Sequence, residues 1–441
     1  MLKNRTLILV LFLTVALIGP SWGAAPVIPD IKSNHRDIQD PEYFDKDPSP
    51  KRKKGLKRVG KDFEEFGEEV AQRIDKIVSR RGFRFLGDPW TLQGIPLLFP
   101  SSDTGFNLGL NAVFANVKRE DPHEMEIAAQ ALASDAGRYK HFLRLDLPHA
   151  FDDQYHITAR VSYNRDINFR YFGIGNDTVV DRELVKADSN LYKNQRAGPG
   201  FNLAVLKYVN RNFQMGPLLG LKWTDVTYPP GSLVESERPL GIEGGKTHTI
   251  GFAFVYDALD FAPNPHRGVF HELFLNWSTK HLSSDYDFLR STYTFRRFWN
   301  LYPTLTLAHR TLFEVVSGDA PFFELGAVGG SDSTIGFGGD KFIRGYQSNR
   351  FIDHIKMAMG FELRWEAFEF GWAKQKLEVV LVPWVDLGRV WNQLLPVQIG
   401  NIHASTGWGT RITWNDRFII RGDLALTQEG SALYVELGHS F

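Results

Sequence analysis

The stretch Ile355-Lys-Met-Ala-Met-Gly-Phe-Glu-Leu-Arg-Trp365 decides how the chain folds. Its odd positions are Ile, Met, Met, Phe, Leu and Trp, and its even positions are Lys, Ala, Gly, Glu and Arg. Successive side chains of a strand point to opposite faces, so this segment forms a strand with one apolar face and one polar, charged face. The same alternation runs through Phe418–Leu426, where Arg421 and Asp423 share a face, and through Leu433–Phe441.

Period two alone does not separate a half-buried soluble sheet from a membrane barrel. Three further features do. The runs are long, aromatic residues recur near their ends (Trp277, Trp299, Tyr302, Trp391, Trp414), and the polar face is rich in charge. Transmembrane strands need about 9–11 residues and carry aromatic girdles at both interfaces. The expected fold is therefore all-β: an antiparallel transmembrane β-barrel of about sixteen strands over residues 90–441. Short connections at Asp152-Asp153-Gln154, Asn210-Arg211-Asn212 and Asn415-Asp416 read as periplasmic turns. Long ones near 167–195, 227–245 and 317–354 read as extracellular loops. The first strand is expected near Gly94–Phe99, short and bounded by proline.

Upstream of the barrel the pattern changes three times. Residues 1–23 read as a cleaved signal peptide, with Lys3 and Arg5 before the apolar run Leu7–Ile18 and small residues after it. Residues 24–59 are polar and proline-punctuated, ending in the basic cluster Lys51–Arg58, and read as a disordered periplasmic tether. Over 60–82 the period becomes helical: Phe63, Phe66, Val70, Ile74 and Ile77 fall on one face of an amphipathic helix. That stripe must cover a membrane interface, the mouth of the barrel or a partner.

The loop before Ile355 is longer than structureless loops usually are, which marks it as functional or disordered. It is glycine-rich, Gly326 to Asp340, and ends in Lys341-Phe-Ile-Arg-Gly-Tyr-Gln-Ser-Asn-Arg350. Alternation sends Glu362 inward on the following strand and Asp386 inward on the next, opposite Leu381, Val385 and Leu387. Two inward carboxylates on adjacent strands repel unless a cation lies between them, and a guanidinium forks well between carboxylates.

Ile343-Arg344-Gly345-Tyr346 resembles the Val/Ile/Leu-Arg-Gly-Phe/Tyr motif of the outer-membrane superfamily that includes BamA, TamA and the two-partner secretion transporters, often labelled bacterial surface antigens. Val385-Asp-Leu-Gly388, Phe361-Glu-Leu-Arg364 and the barrel opening Phe99–Gly109 resemble further family segments, and Phe441 is similar to the terminal aromatic of barrel-assembly signals. The resemblance implies a loop folded into the lumen, with Arg344 held by Glu362 and Asp386. It also implies a Gram-negative outer-membrane location and a role in inserting or translocating protein or lipid. With only a tether and a helix before residue 90, the chain is similar to a subgroup lacking periplasmic repeat domains.

No Gly-x-Ser-x-Gly elbow, zinc helix or phosphate loop occurs, and the 13 histidines lack metal-ligand spacing, so neither enzyme, metal nor cofactor is expected. A net charge of zero argues against nucleic acid as a partner. Expected partners are outer-membrane lipid, unfolded outer-membrane proteins, and a periplasmic or lipoprotein component. The alternative is a passive channel or receptor, with the loop as constriction.

Overall fold

The computed structural model describes residues 81–441, apart from 86, 102–104, 117, 119–123, 136, 181–187, 189, 262–263, 331–335, 373–374, 394–399 and 415–417. The signal peptide, the tether, the helical face Phe63, Phe66, Val70, Ile74 and Ile77, and the turn Asn415-Asp416 lie outside the described residues. The strands are β1 (Arg81–Phe85), β2 (Asp88–Ser101), β3 (Gly105–Asn116), β4 (Met125–Ser134), β5 (Tyr139–His149), β6 (Tyr155–Arg170), β7 (Lys193–Asn210), β8 (Phe213–Thr227) and β9 (Gly245–Lys246). They continue with β10 (Thr249–Leu259), β11 (Gly268–Ser278), β12 (Phe288–Tyr302), β13 (Leu305–Gly318), β14 (Ile355–Trp372), β15 (Gln375–Trp391), β16 (His403–Trp414), β17 (Phe418–Thr427) and β18 (Gly430–Leu437). Leaving aside the five-residue β1 and the two-residue β9, sixteen strands of eight residues or more remain, as the periodicity predicts.

Each long strand pairs antiparallel with the next, and β8 pairs directly with β10 while β9 adds a short flap. The long connections 171–192, 228–248 and 319–354 all lie at one end of the sheet, together with a few short ones, and no connection at the other end is longer than eight residues. The lining alternates as the opening segment requires. On β14, Phe361 and Trp365 are 39% and 48% exposed, whereas Glu362 and Arg364 are 0% and 4% exposed. On β15 the exposed Val385 flanks the buried Asp386. The outer wall therefore presents Leu143, Val161, Ile250, Trp277, Leu289, Trp299, Trp408 and Leu433. The inner wall is charged, which only a wetted or internally paired lumen tolerates.

Two boundaries differ from the sequence reading. Arg81 and Gly82, which the sequence reading places at the end of the helix over 60–82, lie instead in β1, Arg81-Gly-Phe-Arg-Phe85, folded back on β2 across Gly87 at φ +90°. Alternating Phe83 and Phe85 favour this hairpin, and Phe83 and Trp90 both stack on Phe114. The sheet thus begins at residue 81 rather than 90. The first long strand is also not short: β2 has 14 residues, continuing on both sides of Gly94–Phe99 through Pro89, Pro96 and Pro100. Prolines cannot donate to a ladder and are confined to strand edges, strand starts and bulges, and β2 is such an edge. Beyond Leu92 it pairs only with β3. Among the described residues no ladder joins β18 to β1 or β2, so the two ends of the sheet form an unzipped seam.

Candidate functional site: the lumen clamp

The loop from residue 319 to 354 leaves β13 and turns into the lumen. Four glycines permit the turn, with φ of +82°, +63°, +104° and +81° at Gly330, Gly336, Gly338 and Gly339, a region closed to most side chains. A Cβ on Gly338 would stand 1.9 Å from the Gln347 carbonyl oxygen, so here glycine is required by space as well as by φ. Phe337, Phe342, Ile343, Tyr346 and Phe351 then form a buried apolar knob with Leu312, Ala358 and Val390 of the wall.

The knob delivers Arg344 to the predicted acids. Its Nε and Nη2 donate to Asp386 Oδ2 and Oδ1 at 2.8 and 2.9 Å, and its backbone N–H donates to Oδ2 at 3.1 Å. Nη1 donates to Glu362 Oε1 at 2.8 Å and to Asp423 Oδ2 at 3.2 Å. The face of the guanidinium lies 3.8 Å from the Trp384 ring centroid. Burial alone would lower the pKa of Arg344, but Asp386 and Glu362 outweigh it and hold it above its ordinary value. Removing one partner from such a buried pair costs about 3–5 kcal/mol, because it leaves a charge uncompensated.

The neighbouring residues of the tetrapeptide explain its composition. Ile343 sits at φ +52°, a rare conformation for a β-branched residue, and presses on Gly388 of β15, where a Cβ would fall 2.3 Å from Ile343 Cδ1. Gly345, at φ +100°, passes so close to β17 that a Cβ would stand 2.6 Å from Thr427 Cγ2. Its N–H donates to the Tyr434 hydroxyl at 3.1 Å. Tyr346 packs edge-on to Phe351.

Several partners were not anticipated as part of the clamp. Arg411 donates to Asp423 Oδ1 at 2.6 Å and to Glu362 Oε1 at 3.3 Å, Arg364 to Glu362 Oε2 at 3.0 Å, and Arg421 to Asp340 Oδ2 at 2.9 Å. Four guanidiniums (344, 364, 411, 421) thus face four carboxylates (340, 362, 386, 423), a balanced cluster. Alternation does mark Arg364, Arg411, Arg421 and Asp423 as inward. Which carboxylate they reach depends on the stagger of strands, which the sequence does not print.

The more consequential omission is the end of the sequence. Gly438, at φ +78°, turns the chain off β18, and Ser440 and Phe441 are 2% and 8% exposed. Ser440 Oγ donates to Glu362 Oε1 at 2.5 Å, and Arg364 Nη2 donates to the Phe441 carbonyl at 3.0 Å. Arg310 donates to the Ser440 carbonyl at 3.1 Å and also to the carbonyl of Lys341 in the loop. Phe441 packs against Phe298 and Ala308 inside the sheet. In the folded chain Phe441, expected as a terminal assembly signal, is an interior residue.

At the other side the loop is tied again. Glu324 accepts from Lys222 at 2.7 Å and pairs with Arg290 at 3.0 Å; burial would raise its pKa, but those two cations bring it down to about 2. The N–H of Gly329 donates to Glu314 at 2.7 Å; back on the clamp side, Arg350 pairs at 2.8 Å with Glu429 in the turn between β17 and β18.

Comparison with known proteins identifies the family. The Omp85 superfamily domain matches residues 126–441, more than half of the chain. Among solved structures, BamA from Haemophilus ducreyi lacking POTRA domains 1–3 superposes with a TM-score of 0.50 at 14% identity, over 84% of this chain and 76% of that one. CdiB from Escherichia coli gives 0.48 at 9% identity over 83% and 69%, and CdiB from Acinetobacter baumannii 0.45 at 10% over 79% and 59%. A comparison with curated protein sequences returns no match. The chain belongs to the Omp85 superfamily and is an outer-membrane β-barrel of that family.

Proposed function

We propose that this barrel works in outer-membrane biogenesis, inserting or translocating protein or lipid through its seam rather than through its lumen. The observation that carries the reading is the seam itself: among the described residues no ladder joins β18 to the proline-bearing edge of β2, while every other pair of neighbouring long strands is joined by one. An unpaired edge offers N–H and C=O groups that an incoming strand can match, and it perturbs lipid that cannot satisfy them. The clamp supports this by filling the lumen, so that the seam is the remaining route. Unfolded outer-membrane proteins or lipids are the proposed clients, with a periplasmic or lipoprotein partner at the short-turn end.

A passive channel is the competing reading, and the lumen-crossing loop together with residues 438–441 speaks against it. The test is a scan of cysteine pairs between residues 90–97 and 431–437, feasible because the chain has no cysteine. Locking the seam should abolish complementation of a depletion strain and restore it on reduction. Full activity in an oxidised, fully crosslinked barrel would remove the seam from the mechanism.

A further inference from the structure

On the inner wall of β5 and β6 two arginines face each other, and only one of them meets a carboxylate among the described residues. Arg144 of β5 and Arg160 of β6 occupy directly opposed positions and are 7% and 4% exposed. Like charges at such a position destabilise a sheet. Arg144 is engaged by Glu126. Arg160 is not so served: among the described residues its Nε and Nη2 meet no acceptor. Its one described neighbour of note is the ring of Phe142, 4.1 Å from the guanidinium carbon. Phe142 lies between Lys140 and Arg144 on the inward face of the same strand, so two further cations share the face on which Arg160 covers the ring. The nearest acid along β5 is already occupied, since Asp146 accepts from His156 Nε2 at 2.8 Å and Thr158 Oγ1 at 3.1 Å.

We propose that Arg160, with Lys140 and Arg144, forms an oxyanion-binding station on the lumen wall, selective for phosphate-type groups. The unsatisfied donors of a guanidinium suit the paired oxygens of a phosphate, and desolvation by the surrounding wall strengthens the contact. An anion there relieves the Arg144–Arg160 repulsion and satisfies the orphaned donors in one step. The phosphate belongs either to a free solute entering the lumen or to a lipid headgroup. None of its residues lies on β2 or β18, but Lys140 is within electrostatic reach of Glu436 on β18 and of Lys341 in the loop, so the test is placed on Arg160.

The test uses the full chain purified in a neutral detergent, with the thermal midpoint followed by tryptophan fluorescence and by loss of the folded band on unheated gels. Inorganic phosphate and pyrophosphate should raise the midpoint in a saturable manner, and Arg160→Gln should weaken that response by about ten- to a hundredfold, the worth of one or two charged hydrogen bonds. Arg160→Lys should retain part of it. Without anion, Arg160→Gln should be at least as stable as the parent, since it relieves repulsion. A second arm in nanodiscs compares zwitterionic lipid with phosphatidylglycerol and with a diphosphorylated glycolipid. Stabilisation by soluble phosphate assigns the station to a solute, and stabilisation by anionic lipid alone assigns it to a headgroup, provided Arg160→Gln abolishes it. An equal response of parent and Arg160→Gln in both arms, or a large loss of anion-free stability in Arg160→Gln, overturns the proposal.

Discussion

Ser440 donates its hydroxyl to Glu362 Oε1 at 2.5 Å, and that same oxygen accepts from Arg344 at 2.8 Å. One carboxylate thus holds both obstructions of the lumen, the loop entering from the long-loop end and residues 438–441 entering from the short-turn end. The two are energetically one unit, and residues sharing a partner show non-additive effects of about 0.5–3 kcal/mol. Glu362→Gln and Ser440→Ala should each destabilise the barrel, and the double variant should be less destabilised than the sum. A thermodynamic cycle on urea unfolding in detergent measures the coupling; strict additivity would mean the two plugs are held separately.

Asp386 receives three of the five hydrogen bonds described for Arg344. Asp386→Asn should cost about 3–5 kcal/mol and free the loop. Limited proteolysis after Lys341 or Arg350 reads the release directly. Arg344→Lys should behave almost as badly, because an ammonium is a single point charge where a planar fork is required.

Gly388→Ala tests the seat of Ile343. A methyl group there would collide with Ile343 Cδ1 at 2.3 Å, so the buried Ile343 must turn or move, and the loop is expected to shift with it even though every charge of the clamp is retained. The expected readout is single-channel conductance in planar bilayers, rising above a nearly silent parent. Conductance unchanged in Gly388→Ala and in Asp386→Asn would show that the loop does not obstruct the pore.

The end segment responds to acid through His439. Burial, and then Arg364 and Arg411, hold its pKa well below the ordinary 6.5, while its Nε2 lies 2.8 Å from Asn264 Oδ1. In the unfolded chain the imidazole takes up a proton as pH falls through 6.5, whereas in the folded one it stays neutral. Stability from this residue is therefore complete above that pH and declines below it, by at most about 1.4 kcal/mol per pH unit. His439→Gln should flatten the stability profile between pH 6.5 and 5, and a profile identical to the parent's would exclude this residue as the titrating group.

The inner and outer faces of the strands were legible in the sequence because side-chain period is fixed at two: once Phe361 and Trp365 face out, Glu362 faces in, whatever the rest of the sheet does. Arg344 was legible because Ile343-Arg344-Gly345-Tyr346 resembles a family motif, and two inward acids on adjacent strands give a guanidinium in the preceding loop an electrostatic place to go. The membership of Asp423 and Arg411 was not, since it depends on how far β17 is staggered against β15. Nor was the inward turn at Gly438, where Leu433–Phe441 alternates as if one strand ran to the end. What overrides that alternation is tertiary: Arg310 and Arg364 each donate to a carbonyl that a straight strand would carry out of reach. The hairpin β1 was missed for a related reason, as Arg80, Arg81 and Gly82 read like the closing turn of a helix.

The loop from 319 to 354 is fastened near β8 and β12 through Glu324 and to β15 and β17 through Arg344, so it crosses the cylinder from side to side. A crossbeam of this kind resists ovalisation. Squeezing or spreading the sheet must load the beam, and the load falls on the buried cluster of Tyr171, Phe322 and Ile352 at its root.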